Sequence, residues 1–156
     1  MHDVINRIRF AAESYDEVIG GILPLLPEHW AELAVHKDIP LDPAYEFYSE
    51  MDKIGALKIF TARKDGALIG YSIFVVRPRH AHYAIGWAMN DIVWLHPDHR
   101  NEGVGTAFVG FWDAALRDLG VTLAHINAKV SHPALMYLLK KCGYATIECG
   151  MEKRLR

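Results

Sequence analysis

The chain has 156 residues, 51% of them hydrophobic and 23% charged, which is typical of a globular domain and excludes a disordered chain. Its formal net charge of −2 gives no bulk attraction to nucleic acid or to an anionic membrane, so neither is expected as a partner. No segment approaches transmembrane length, the charged N-terminus does not resemble a signal peptide, and Cys142 and Cys149 lack metal-type spacing. We therefore expect a cytoplasmic protein with two idle thiols.

The first third of the chain predicts one strand followed by helices. Apolar residues of one parity predict a half-buried strand over residues 4–10. Ser14 and Glu17 have the spacing of a capping box, which predicts a helix that runs from there toward Pro24. Two further helical stretches are predicted next, at residues 28–36 and at AYEFYSEM, residues 44–51.

From Leu57 onward the apolar pattern changes to that of strands. The runs at residues 57–62 and 68–76 are strand-like, and Asp65-Gly66 between them is a strong hairpin signal. The remaining predicted elements are a strand at 83–95, a helix at 103–119 closed by Gly120, a strand at 121–130, a helix at 133–141 and a strand at 144–155. The order β-α-α-β-β-β-α-β-α-β predicts one mixed α/β domain over residues 1–156.

The turn at residues 100–106 has the chemistry of an anion site. Backbone N–H groups at a helix start are unpaired and, with the helix dipole, bind phosphate. Gly103 and Gly105 leave room for an anion to approach the backbone, and Arg100 can add a bidentate contact. The pattern GxxxxGK[ST] is absent, and the dinucleotide pattern GxGxxG fails at Phe108. The residues therefore predict a cradle for a diphosphate that belongs to neither of these two classes.

The remaining pattern, Arg-x-x-Gly-x-Gly after a strand that ends Val93-Trp94-Leu95, resembles the acetyl-coenzyme A motif of the GCN5-related N-acetyltransferases (GNAT family). The predicted element order is also similar to that family's, over most of the chain. The resemblance implies a splayed sheet, in which the third and fourth strands separate from the fifth and make room for the acyl thioester. It also implies that the backbone of Val93–Leu95 pairs with the pantetheine arm of the coenzyme. Backbone amides of the same residues would stabilise the oxyanion that forms from the thioester carbonyl during acetyl transfer. The implied coenzyme contacts are Val93, Trp94, Leu95, Arg100, Asn101, Glu102, Gly103, Val104, Gly105, Thr106 and Asn127.

The resemblance also implies catalytic candidates. Asp91 occupies a strand position that often carries a base in this family, and we expect its carboxylate to be buried in the apolar strand. A capping or salt-bridging Asp at a bulge is the structural alternative. The usual general-acid tyrosine is missing, because its position holds Leu139. Tyr137 is kept as a candidate acid, although two residues rotate about 200° along a helix, which would point it elsewhere unless the helix shifts or bends.

The expected function is transfer of an acetyl group from acetyl-coenzyme A to a primary amine, with a small cationic amine, a protein N-terminus and a lysine all open as acceptors. Ten acidic residues and one basic residue between Ala11 and Asp52 could attract cationic amines or could form a solvated surface. The alternative function is a catalytically silent module that binds acyl-coenzyme A, which the missing tyrosine favours. A homodimer is left open, and no metal is expected, because no third ligand accompanies the paired histidines.

Overall fold

The computed structural model describes residues 7–100 and 103–155, which form an open five-stranded sheet with helices on both faces. The strands are β1 (Ile8–Glu13), β2 (Leu57–Lys64), β3 (Ala67–Arg77), β4 (Gly86–Leu95) and β5 (Val121–His125). The helices are α1 (Tyr15–Ile22), α2 (Leu26–Leu33), α3 (Tyr45–Lys53), α4 (Val104–Asp118) and α5 (Pro133–Lys141). Three helices therefore lie between the first two strands, and each corresponds to one of the three predicted helical stretches, although the predicted order β-α-α-β counted only two.

The sheet has the order β1-β2-β3-β4-β5, and every neighbouring pair is antiparallel except β4 and β5, which are parallel. The predicted mixed α/β class is confirmed. β4 pairs with β5 only over Gly86–Met89, although it continues to Leu95. The second half of β4 therefore has a free edge on the β5 side, which is the splay that the family resemblance implies.

Two local signals in the sequence fold as predicted. Asp65 and Gly66 have φ angles of 51° and 87°, and Lys64 pairs with Ala67 across them, so β2 and β3 are joined by a two-residue turn. At the start of α1, the backbone N–H of Ser14 donates to the Glu17 carboxylate at 2.8 Å. This contact satisfies one amide at the helix start, as a capping box does.

The central strands β2 and β3 are buried on both faces, and each face carries its own apolar core. On one face, α4 and α5 pack against residues that include Phe60 and Phe74. On the other face, α1 and α3 pack against residues that include Ile59 and Tyr71. None of the helices in the described ranges is long and apolar enough to cross a membrane.

Four strand predictions are corrected by three residues or more. β4 begins at Gly86 instead of at residue 83. β1 continues to Glu13, three residues beyond its predicted end, while residues 4–6 lie outside the described residues. β5 ends at His125 instead of at residue 130, because the sheet splays there. The predicted final strand over residues 144–155 is wrong: the segment is irregular and pairs with no described strand. The segment contacts the loop after α2 instead, through an ion pair in which Arg154 Nη2 lies 2.8 Å from Asp38 Oδ2.

Candidate active site

The splay between β4 and β5 opens into a cleft of about 780 Å³, and α1, α2 and α3 form its opposite wall. Most of the predicted coenzyme contacts line this one cleft, namely Val93, Trp94, Leu95, Arg100, Gly103, Gly105, Thr106 and Asn127. The side chain of Val104 is buried, which leaves its backbone amide as the expected contact, and Asn101 and Glu102 lie outside the described residues. The catalytic candidates Asp91 and Tyr137 line the same cleft. The fold thus brings together predicted site residues that are spread over 47 residues of sequence, from Asp91 to Tyr137.

The start of α4 presents backbone N–H groups to this cleft. Gly103 caps the helix with a φ angle of 81°, a left-handed conformation that glycine adopts without strain. The amides of Val104, Gly105 and Thr106 come before the first intrahelical bond, which Ala107 N–H donates to the Gly103 carbonyl at 2.9 Å. This arrangement is a ready-made anion site.

Gly105 has a second role, in packing. A Cβ atom at this position would lie 3.0 Å from Cδ2 of Leu138 in α5, which is tighter than an ordinary contact. A glycine therefore lets α5 approach the first turn of α4. The close approach of the two helices narrows one side of the cleft.

Arg100 is held by a carboxylate of the opposite wall. Its Nη1 and Nη2 each donate to the Glu32 carboxylate at 2.6 Å, and its Nε donates to the Leu95 carbonyl at 2.8 Å. Trp94 Nε1 donates to the same carboxylate at 3.0 Å. The Arg100 hydrogen bond is the largest of the effects that lower the pKa of Glu32. The Glu32 carboxylate therefore stays ionised, and it accepts from the two guanidinium nitrogens of Arg100 that a phosphate would otherwise contact.

The lysines and arginines of the described cleft wall come from a later part of the chain than its carboxylates. The cations are Arg100, Lys129 and Lys141, and all of them follow β4 in the chain. The carboxylates are Glu32, Asp42 and Asp91, and all of them lie in β4 or before it. Lys129 crosses the cleft and donates to the Leu33 carbonyl. We call the side formed by α4 and α5, with the helix-start amides and Lys141, the cationic half, and the side formed by α1, α2 and α3, with Asp42 and Asp91, the acidic half. Arg100 and Lys129 reach across to α2, where Arg100 pairs with Glu32.

Asn90 closes the narrow end of the splay. It is almost fully buried, and its Oδ1 accepts from the Asn127 backbone N–H at 2.6 Å. This side-chain contact replaces the ladder hydrogen bonds that would otherwise continue the pairing of β4 with β5. Asn127 is thus fixed through its backbone at the floor of the cleft.

Asp91 is the extra residue of a bulge in β4. Ile92 pairs with Ile73 and Asn90 pairs with Phe74, so Asp91 has no partner on β3. The expectation that Asp91 is buried is wrong: the bulge turns it outward and leaves it exposed. The alternative prediction, a capping or salt-bridging Asp at a bulge, is correct about the bulge. None of the described ion pairs includes the Asp91 carboxylate, however.

Tyr48 of α3 holds the Asp91 carboxylate from across the cleft. Its hydroxyl donates to Asp91 Oδ2 at 2.6 Å. Burial, and then the hydrogen bond to Asp91, raises the pKa of Tyr48 far above neutral pH, so the hydroxyl remains a donor. Sequence reasoning missed Tyr48. The only local signal was a pair of tyrosines, Tyr45 and Tyr48, on one face of a predicted helix.

Tyr137 lies on the side of α5 that faces the cleft. It is 74% exposed and lines the cleft together with Ala134, Leu138 and Lys141. Leu139, which occupies the usual position of the acid, is 5% exposed and belongs to the core. The rotation of about 200° between the two positions therefore turns Tyr137 toward the cleft, contrary to the expectation that it points elsewhere.

His29 of α2 forms the floor of the acidic half without adding a charge. Burial lowers its pKa to about 4, so the imidazole is neutral at pH 7. Its Nδ1 lies 2.6 Å from the hydroxyl of Tyr71, and its ring stacks on Trp94 at 5.6 Å between centroids. Burial raises the pKa of Tyr71, so we assign the shared proton to the Tyr71 hydroxyl.

Most of the acidic early segment does not face the cleft. Of its ten carboxylates, Glu32 and Asp42 line the wall. Several others are engaged elsewhere, such as Glu13 with Arg63 at 2.7 Å. A surface of paired and solvated carboxylates therefore describes this segment better than an acidic rim. Over the described part of the chain, no three His, Cys, Asp or Glu residues are grouped so that they could hold a metal ion.

The comparisons with known proteins agree with this fold. A family model described as an acetyltransferase (GNAT) domain matches residues 56–146. None of the curated protein sequences is significantly similar to the chain. Among solved structures, a ribosomal-protein-alanine N-acetyltransferase from Brucella melitensis biovar Abortus 2308 is 19% identical, with a TM-score of 0.73 and coverage of 96% of this chain and 99% of the other.

Two aminoglycoside acetyltransferases are similar to the same extent. One, from an uncultured soil metagenomic sample in complex with sisomicin, is 10% identical with a TM-score of 0.79, covering 99% of this chain and 100% of the other. The other, solved with coenzyme A, is 15% identical with a TM-score of 0.73, covering 96% and 95%. At these identities the likeness concerns the fold.

The family match covers more than half of the chain, and the fold agrees with it. The chain belongs to the GNAT acetyltransferase family. It is thereby an acyltransferase of the acetyl-coenzyme A-dependent N-acetyltransferase class.

Proposed function

We propose that this protein transfers an acetyl group from acetyl-coenzyme A to a primary amine by direct attack in a ternary complex. One observation carries the proposal: a single cleft has helix-start amides and cations in one half and an exposed carboxylate, Asp91, in the other. The first half suits a polyanionic cofactor, and the second suits an amine that must be bound and deprotonated. We also propose that residues 1–156 act as one acetyltransferase domain.

The coenzyme lies in the cationic half of the cleft in this proposal. The amides of Val104, Gly105 and Thr106 bind the diphosphate, and Lys129 and Lys141 supply cations for the phosphate groups. The pantetheine arm contains amides and is extended, so it can pair with the free edge of β4 at Val93–Leu95. The acyl group then reaches the floor of the splay near Asn127.

The chemistry requires one proton transfer before attack and a stabilised oxyanion during it. The ammonium gives a proton to Asp91, directly or through a water, and the free amine attacks the thioester carbon. Backbone N–H groups of Val93–Leu95 stabilise the oxyanion. The C–N bond forms, the attacking nitrogen loses its second proton to solvent, and the C–S bond breaks. The leaving thiolate takes a proton from solvent, directly or through Tyr137, which is then reprotonated by solvent. Tyr48 orients the base through its hydrogen bond of 2.6 Å to Asp91 Oδ2.

Acetyl-coenzyme A is expected to raise the melting temperature of the protein. A ligand that binds only the native state stabilises it by mass action, by about 2.7 kcal/mol at ~100 times its Kd. Thermal denaturation with and without the coenzyme measures this shift, with ATP and NAD at the same concentration as control nucleotides. Both controls should give much smaller shifts. An unchanged melting temperature at millimolar acetyl-coenzyme A would refute the cofactor assignment.

Substitutions of Arg100 and Glu32 are expected to change coenzyme affinity in opposite directions. Arg100→Ala removes a charged hydrogen bond to phosphate and should weaken binding by about 1.5–3 kcal/mol. Glu32→Gln frees Arg100 from a partly exposed ion pair worth about 0–1 kcal/mol, so the Kd should fall by up to about fivefold. Titration calorimetry measures both values.

The matched control is Glu28→Gln, which removes the same charge from the same helix at a position outside the cleft wall. It should leave the Kd within about twofold. If Glu32→Gln and Arg100→Ala both weaken binding to the same extent, the ion pair is part of the bound state and Arg100 does not exchange it for phosphate.

A further inference from the structure

The acidic half of the cleft has an apolar wall that serves neither core. Four side chains from α1, α2, α3 and the loop before α3 line the cleft and belong to neither apolar core: Ile19, Trp30, Leu41 and Tyr45. Leu41 and Tyr45 are also exposed. Side chains that fill no core and face a cleft expose apolar surface at a cost, unless a ligand covers it.

The charges of this half are few and lie at its two ends. Asp91 lies at the bulge beside the splay, and Asp42 lies in the exposed loop before α3. Neither forms an ion pair among the described residues. Glu32 is neutralised by Arg100, and His29 is uncharged. Asp91 can therefore pair with one ammonium group at the reaction centre. Asp42 is exposed to water, so its attraction for a cation is screened.

We propose that the acceptor is a primary amine on an apolar body, such as an alkylamine or an arylalkylamine. This inference rests on the proposed function and specifies its acceptor. The ammonium meets Asp91, and the apolar body packs against Ile19, Trp30, Leu41 and Tyr45. A polyhydroxylated amine would leave its hydroxyl groups unpaired against these side chains, and a polyamine would bury a second cation there.

The dependence of acetylation on chain length tests the inference. Thiol release at saturating acetyl-coenzyme A gives kcat/KM for n-alkylamines from ethylamine to hexylamine. We expect an increase of about fourfold for each methylene that the wall buries, so hexylamine should exceed ethylamine by about two orders of magnitude. Hexane-1,6-diamine, which has the same length and a second cation, should be poorer than hexylamine by at least about tenfold.

A substitution in the wall connects this preference to the cleft. Ile19→Ala should lower the ratio of kcat/KM for hexylamine to that for ethylamine by about fourfold or more. This ratio does not depend on the fraction of folded enzyme. Ile54→Ala is the control, because Ile54 is 74% exposed and lies outside the cleft wall; its ratio should equal that of the wild type.

The outcomes separate this inference from the proposed function. A rate that is flat or falls with chain length, or a better rate with the diamine, an aminoglycoside or a lysyl peptide, would overturn the apolar acceptor while acetyl transfer stands. An unchanged ratio in Ile19→Ala would also overturn it. Absence of thiol release with every amine, despite coenzyme binding, would overturn the proposed function and the inference together.

Discussion

Asp91→Asn is expected to lower kcat by about 10²–10⁴-fold at pH 7, with nearly unchanged affinity for the coenzyme. The substitution keeps the shape of the side chain and can keep a hydrogen bond with Tyr48, but it removes the base. An aliphatic amine with a pKa near ~10.4 is almost entirely protonated at pH 7 and cannot attack until it loses a proton. The proposed coenzyme site lies in the other half of the cleft, so the Kd of the coenzyme should not change.

The effect of Asp91→Asn on the rate should depend on pH. Free amine becomes abundant as the pH approaches ~10, so the variant should recover relative to the wild type at high pH. A pH–rate profile of both proteins with the best acceptor measures the recovery. Asp118→Asn is the matched control, because Asp118 is exposed at the end of α4 and lies outside the cleft wall. Equal profiles for wild type and Asp91→Asn would remove Asp91 from catalysis.

Gly105→Glu is expected to abolish coenzyme binding. The new side chain begins at the second residue of α4, where its Cβ atom meets Leu138, and from there its carboxylate can extend into the cleft beside the proposed diphosphate site. The helix dipole and the free amides would then be satisfied by the carboxylate itself. Titration with acetyl-coenzyme A should give no measurable heat of binding, while the far-ultraviolet circular dichroism remains that of the wild type.

Two controls separate charge from packing at this position. Gly105→Ala adds only the Cβ atom, which lies 3.0 Å from the flexible end of Leu138 and should be accommodated with weaker but measurable binding. Gly110→Glu adds the same carboxylate to the same helix, where a Cβ atom has nothing within 4 Å. It should bind like the wild type. A folded Gly105→Glu protein that still binds the coenzyme would mean that the diphosphate site is elsewhere.

The elements that were predicted accurately are those with local causes. The helix at residues 133–141 has its predicted bounds, because Pro133 fixes the first turn and Gly143, with a φ of 93°, supports the exit from the last one. The hairpin at Asp65-Gly66 is likewise fixed by two residues that tolerate positive φ. The strand over 144–155 was wrong because a strand needs a partner edge, and no described strand pairs with these residues.

The residues of the motif were predicted to lie together and most of them line the cleft, whereas the contacts that cross the cleft were not predicted. Residues 91–106 could be read from one strand and one helix start. The hydrogen bond of Tyr48 to Asp91 joins residues 43 positions apart, and the ion pair of Arg100 with Glu32 joins residues 68 positions apart. Glu32 carries no local signal of its own, and the only signal for Tyr48 is its spacing from Tyr45 on one face of a predicted helix. The outward turn of Asp91 also depends on a register shift against β3, which strand parity does not contain.

The measurement that tests the central claim most directly is thiol release from acetyl-coenzyme A over a broad panel of primary amines. The panel contains alkylamines, arylalkylamines, polyamines, aminoglycosides, lysyl peptides and peptides with free N-termini, and a reaction without amine serves as background. We expect amine-dependent thiol release matched by an equal amount of N-acetylated product, with Asp91→Asn slower at pH 7. Tight coenzyme binding with no thiol release above background for any amine would contradict it and would instead describe a protein that binds acyl-coenzyme A without transferring the acyl group.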